Sequence, residues 1–146
     1  MTQNLNANLA AMAYRRAASS VSPMTAVVML YDKAIVLLHR AVKANQDRRA
    51  DESFAHASQA AAILRGLSYA LDFERGGDIA ESLRATYTRN ILAVLNSFGK
   101  PDMPERYGKI ASGLSELRDA WAVVAKLPTR AEEVAPQERR AVGAGR

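Results

Sequence analysis

The chain has 146 residues, 49% hydrophobic, 24% charged and 6% aromatic; such a length gives one ordinary domain that buries roughly 68–70% of its unfolded surface. That apolar fraction excludes a wholly disordered protein, and the absence of Cys excludes disulfides, Cys-ligated metals and thiol nucleophiles together. The net charge of +5 suits weak contact with acidic partners, but the basic residues are scattered as pairs (Arg15-Arg16, Arg48-Arg49, Arg139-Arg140) without the basic-aromatic pattern of a nucleic-acid binder.

Residues 1–21 mix Asn, Ala and Ser with Leu5, Leu9, Met12 and Tyr14, and read as an N-terminal arm or short amphipathic helix. Arg15-Arg16 follow the uncharged, weakly apolar residues 1–14, the reverse of a secretory signal, so a cytoplasmic protein is expected. Ser22-Pro23 is a helix start, because Ser caps orphan N–H groups and Pro at the first position loses no hydrogen bond. From there Val27, Leu30, Tyr31, Ala34, Ile35, Leu38, Ala41 and Val42 recur at helical spacing to about Ala44. The apolar run from Val27 to Tyr31 stops at Asp32-Lys33, too short to insert in a membrane.

Asp51 is expected to cap a second helix whose inward stripe is Phe54, Ala57, Ala60, Ala61, Leu64, Leu67, Ser68 and Leu71. Its many Ala side chains let neighbouring helices approach closely, or leave a shallow groove where nothing fills the space. Gly76-Gly77 is expected to end it, since Gly takes the left-handed C-cap conformation without steric cost. A third helix carries Ile79, Leu83, Tyr87, Ile91, Val94, Leu95 and Phe98, and Gly99-Lys100-Pro101-Asp102 breaks it. Pro104 opens a fourth with Tyr107, Ile110, Leu114, Leu117, Trp121 and Val124. Four helices of about 20–23 residues, each roughly 30–35 Å long with short links, predict an all-α antiparallel four-helix bundle. Its expected extent is 22–127, followed by a disordered tail over 128–146 that lacks large apolar side chains.

The residues offer little chemistry. Glu52 and His56 stand i, i+4 without a second such pair, and His39 falls on a polar face, so no metal site is expected. Asp72, Glu74 and Asp78 cluster around Gly76-Gly77, where Asp78 suits the positive end of a helix dipole and Asp72 suits a pairing with Arg75 or Arg65. No phosphate-binding loop follows those glycines, and Ser19, Ser20 and Ser22 lack triad partners. No enzyme and no cofactor are predicted. The apolar faces are wider than the three positions in seven that a bundle helix needs, with Val27, Val28, Met29, Leu30, Ile35, Val36, Leu37 and Leu38 on the first helix alone. Deep burial, self-association and a groove for another chain's amphipathic helix all account for that width.

Four segments carry a resemblance. Ser22-Pro23-Met24 through Met29-Leu30-Tyr31-Asp32-Lys33-Ala34-Ile35 resembles the Ser-Pro helix start and Met-Leu-Tyr-Asp-Gly-Ala-Ile signature of the FliS-type flagellar secretion chaperones. Leu71-Asp72-Phe73-Glu74-Arg75-Gly76-Gly77-Asp78-Ile79-Ala80 is similar to that family's Leu-Asp-x-x-x-Gly-Gly-Glu-Ile-Ala, Ala13-Tyr14 to its N-terminal Ala-Tyr, and Leu117-Arg118-Asp119-Ala120-Trp121 to its Leu-Arg-x-x-Trp. The order is the family's and spans residues 13 to about 125. Lys33 stands where the family usually has Gly, and Ala61, Gly66, Ser82, Thr86 and Arg89 also depart from its pattern.

The resemblance implies a cytoplasmic chaperone that binds the disordered C-terminal segment of flagellin, blocks premature polymerisation and keeps it export-competent. It implies the flagellar export gate and other flagellar regulators as further partners. On this reading the groove is lined by Met29, Leu30, Ile35 and Leu38, by Ile63, Leu64 and Leu67, and by Ile79, Leu83 and Tyr87. Tyr14 belongs to an arm that occupies part of the groove when flagellin is absent. The rival reading is a helical adaptor or regulatory protein that self-associates through its apolar faces.

Overall fold

A computed structural model describes residues 9, 23–129, 131 and 132. The expected arm over 1–21, with Tyr14, lies outside the described residues except at Leu9, and so does most of the expected tail. Four helices follow one another: α1 Pro23–Gln46, α2 Ala50–Tyr69, α3 Phe73–Ser97 and α4 Met103–Ala125, with no strand among the described residues. Neighbours in sequence pack together and α4 returns to α1, the contact of α3 with α4 being the lightest of these four. The helices therefore form a four-helix bundle in which α1 and α3 stand diagonally opposed.

The centre is built from the stripes. Tyr31, Leu38, Leu64, Tyr87, Val94, Tyr107 and Leu114 are buried, with Ala34, Ala41, Ala57, Ala60 and Ala111 between them. These small side chains bring α1 and α2 close enough for Ser53 Oγ to donate to the Ala41 carbonyl at 2.7 Å. Five stripe residues face outward instead: Phe54 is exposed and meets Phe98 edge-on at 5.5 Å, and Leu30, Ile79, Leu95 and Val124 are also exposed. Phe54, Leu95 and Val124 each lie at the border of their helix's apolar arc, where the spacing alone does not fix which side of a neighbour they fall.

Helix ends differ from expectation at the start of α2, at the end of α1 and at the α2–α3 connection, where α2 ends at Tyr69 and α3 begins at Phe73. Asp51 does not cap α2; Arg49 holds the N-cap position without a side-chain bond, and Asp51 and Glu52 sit in the first turn, where they complement the dipole. α1 runs two residues past Ala44 because Arg48 takes a left-handed φ of 61° and Arg49 N–H donates back to the Ala44 carbonyl at 2.8 Å. Lys126 repeats this device after α4. The start of the expected tail is ordered: Thr129 N–H donates to Glu132 Oε2 at 2.9 Å, Glu132 N–H donates to Thr129 Oγ1 at 3.4 Å, and residues 131 and 132 are helical. This reciprocal pair is a capping box.

Among the described residues one charged side chain, Arg118, is buried. Arg118 Nε and Nη2 donate to the two carboxylate oxygens of Asp32 at 2.9 and 3.2 Å, and Nη1 donates to the Pro128 carbonyl at 2.9 Å. The bidentate pair joins α1 to α4 and ties down the chain leaving α4. Removing one member of a fully buried pair costs about 3–5 kcal/mol; Asp32 is 44% exposed, which lowers the figure. Asp32→Ala is expected to lower unfolding stability by about 2 kcal/mol, measured by urea denaturation, with Asp119→Ala as a milder comparison.

Candidate partner-binding groove

The α2–α3 connection creates the most distinctive local geometry. α2 ends at Tyr69, and Asp72 caps α3 by accepting from Glu74 N–H and Arg75 N–H at 3.1 Å each. Its other oxygen lies 3.6 Å from Arg75 Nε, the pairing expected from sequence. Gly76-Gly77 therefore does not terminate α2 but kinks the first turn of α3. Gly77 has φ 49° and ψ −123°, a conformation that favours glycine, and a Cβ on Gly76 would stand 2.8 Å from that of Ala80. The Arg84 guanidinium, 5.2 Å from the Phe73 ring centroid, ties the turn before the kink to the helix after it.

Beneath this kink lies an open, mainly apolar groove of about 420 Å³. Met24 and Val27 of α1, Leu67 and Leu71 at the end of α2, Ile79, Leu83 and Tyr87 of α3, and Trp121 of α4 line it, with Asp72 and Arg75 at the rim. Small residues (Ala70, Gly76, Ala80) keep it from closing. Ile79 is 73% exposed although it continues the stripe of Leu83 and Tyr87, so the groove ends in an uncovered apolar side chain. Two further hollows carry mostly charged side chains, one of about 430 Å³ between α3 and α4 around Asp102, Glu105, Arg106 and Lys109, the other of about 180 Å³ at the α1–α2 turn around Arg40, Lys43 and Glu52.

The floor rests on a tyrosine pair. The Tyr31 and Tyr87 hydroxyls hydrogen-bond to each other in the buried centre, with ring centroids 6.3 Å apart. Burial pushes the Tyr31 hydroxyl far up from its ordinary value; the Tyr87 hydroxyl adds to this, and a hydrogen bond with Trp121 opposes it. Burial raises Tyr87 as well. On α4, burial pushes Tyr107 up to about 12, and its hydroxyl donates to the Val94 carbonyl of α3 at 2.7 Å.

Of the residues expected to line a groove, Leu67, Ile79, Leu83 and Tyr87 do come together here. Ile35, Leu38 and Leu64 do not: they are fully packed in the core, inaccessible to a guest unless the helices separate. Ile63 is half-buried against the core away from the groove lining, and Met29 and Leu30 are exposed on α1 outside it. Met24, Val27, Leu71 and Trp121 also line the groove, outside the expected lining. Their signal was positional, since each sits in the stripe near a helix end, and the four ends meet at the α2–α3 connection. Among the described residues no group of three or more His, Asp or Glu side chains is placed to hold a metal ion. No helix there is long and apolar enough to cross a membrane.

Comparison with known sequences agrees with the motifs that build this end of the bundle. The family profile described as "Flagellar protein FliS" matches residues 6–128. This chain belongs to the FliS family. It is 28% identical over 118 residues to a protein named flagellar secretion chaperone FliS from Campylobacter jejuni, a match that covers 80% of this chain and 91% of that relative. The FliS segments lie where the geometry is most constrained: Tyr31-Asp32 holds both the floor and the ion pair, Leu71–Ala80 forms the kinked wall, and Arg118 and Trp121 answer from α4.

Raised tyrosines make this centre sensitive to alkali. Unfolded tyrosines ionise near pH 10, while the folded state keeps these hydroxyls protonated, so folding binds protons above that pH. Stability is therefore expected to be level below about pH 10 and to fall towards pH 12, by up to about 1.4 kcal/mol per pH unit for each tyrosine. Urea unfolding across this range checks it, and Tyr107→Phe is expected to make the decline shallower by about one proton's worth.

Proposed function

We propose that this protein is a flagellar export chaperone that receives the disordered C-terminal segment of flagellin in the groove at the α2–α3 end of the bundle. Acting in the cytoplasm, it would keep the subunit from polymerising prematurely and leave it competent for export. The observation that carries this reading is the open apolar trough, floored by Tyr87 and ending in the uncovered Ile79. Membership of the FliS family and likeness to a flagellar secretion chaperone support it.

The shape suits such a guest. A disordered segment that folds on binding needs an elongated apolar surface for its own amphipathic turns, not an enclosed pocket. Ordering the segment offsets part of the contact energy, which keeps affinity moderate and release feasible. The polar rim at Asp72 and Arg75 limits the depth to which apolar side chains insert and leaves charges to orient the guest.

The chain has one tryptophan, and it lines the groove, so its emission reports occupancy directly. A tryptophan-free peptide from the flagellin C terminus is expected to shift Trp121 fluorescence saturably. Its affinity should change little with salt, whereas nucleic-acid binding would fall steeply. Met24 and Ile79 are exposed, so Met24→Ser/Ile79→Ser should leave the fold intact; the pair is expected to weaken peptide binding roughly 10- to 100-fold. An unchanged dissociation constant in the double variant would remove the groove from the mechanism.

A further inference from the structure

We infer that the outer face of α1 is a second docking surface, distinct from the groove, for an acidic amphipathic helix of a protein partner. Met29, Lys33, Val36, Arg40 and Lys43 follow one another at i, i+4, i+7, i+11 and i+14, one straight stripe about 21 Å long. Met29 is 57% and Val36 44% exposed, and Lys33, Arg40 and Lys43 are exposed beside them. Isolated apolar side chains on a surface are ordinary. These two are a heptad apart, as are Lys33 and Arg40, which is the pattern of a helix-pairing seam with charges along its flank.

Charge decides the occupant. The carboxylates bordering the stripe are already engaged: Asp32 and Asp119 by Arg118, Asp47 by Lys43 at 3.4 Å, and Glu52 by Arg49 at 3.6 Å. Among the described residues none of them pairs with Lys33 or Arg40, so the seam presents net positive charge beside its two apolar knobs. A complementary helix carries apolar residues a heptad apart and Glu or Asp on the flank facing Lys33 and Arg40. Two apolar side chains give too little area for stable burial in a lipid surface, which disfavours a membrane as the occupant.

The face also stands apart from the groove. α1 contributes Met24 and Val27 to that end, whereas the stripe residues are exposed and none of them lines the groove, Arg40 and Lys43 bordering α2 only at the far α1–α2 turn. Both surfaces are therefore available at once, and the inference holds whichever guest the groove takes.

The test uses the full chain, isotopically labelled, and two synthetic helical peptides with identical Leu heptads, one flanked by Glu and one by Lys. The Glu peptide is expected to bind saturably and shift the amide resonances of Met29, Lys33, Val36 and Arg40 while leaving Ile79 and Leu83 unmoved. Lys33→Glu/Arg40→Glu, at exposed positions, is expected to weaken that binding by at least about tenfold and to transfer the preference to the Lys peptide. Three results would overturn the inference: no saturable binding, an affinity indifferent to charge reversal, or shifts centred on the groove. Binding of the full chain to phosphatidylserine vesicles that the double reversal abolishes, with neither peptide bound, would assign the stripe to lipid and overturn it equally.

Discussion

Two hydroxyls meeting in the middle of the bundle set the geometry of everything above them. α1 and α3 are diagonal, and the Tyr31 and Tyr87 side chains span the distance between them. Each satisfies the other in a place where an orphaned hydroxyl would be costly. Tyr87 is thereby held as a floor, and α3 cannot settle further into the bundle to close the space between Ile79, Leu71 and Trp121. A hydrophobic pair of similar size would fill the centre too, but without a directional bond to fix the rotation of α3.

The same logic runs around the bundle. Ser53 fastens α2 to α1, Tyr107 fastens α4 to α3, and Arg118 fastens α4 to α1. An alanine-rich interface is smooth and tolerates sliding, so a few directional bonds supply the register that side-chain shape does not. Tyr31 and Asp32 are adjacent yet reach different helices, one through the centre and one along the side. This explains why a short sequence segment bears so much of the architecture.

The sequence was most informative where periodicity and punctuation agreed. Ser22-Pro23 and Pro104 marked helix starts to within a residue of those observed, and the Tyr107, Ile110 and Leu114 stripe is core. Gly76-Gly77 misled because two glycines announce a break without saying on which side of it the helix belongs; the Asp72 cap, four residues earlier, decides that. The groove was half legible. Spacing assigns a residue to the inward face, but core and groove share that face, and only depth along the helix separates Leu38 and Leu64 from Leu67 and Leu83. The Arg118–Asp32 pair was invisible to periodicity, since it joins residues 86 apart in the chain.

The proposed role, a chaperone for an unfolded guest, requires a protein that is stable itself while leaving apolar surface uncovered. Here a pinned centre and a kinked first turn of α3 meet both demands at one end of the molecule. Hydroxyl-radical footprinting of the chain bound to full-length flagellin tests this most directly, because Met24 and Trp121 are oxidation-sensitive and line the groove. Their modification should fall severalfold on binding while Met29, on the far face, stays reactive. Undiminished labelling of Met24 and Trp121 in a complex that retains flagellin would contradict the account.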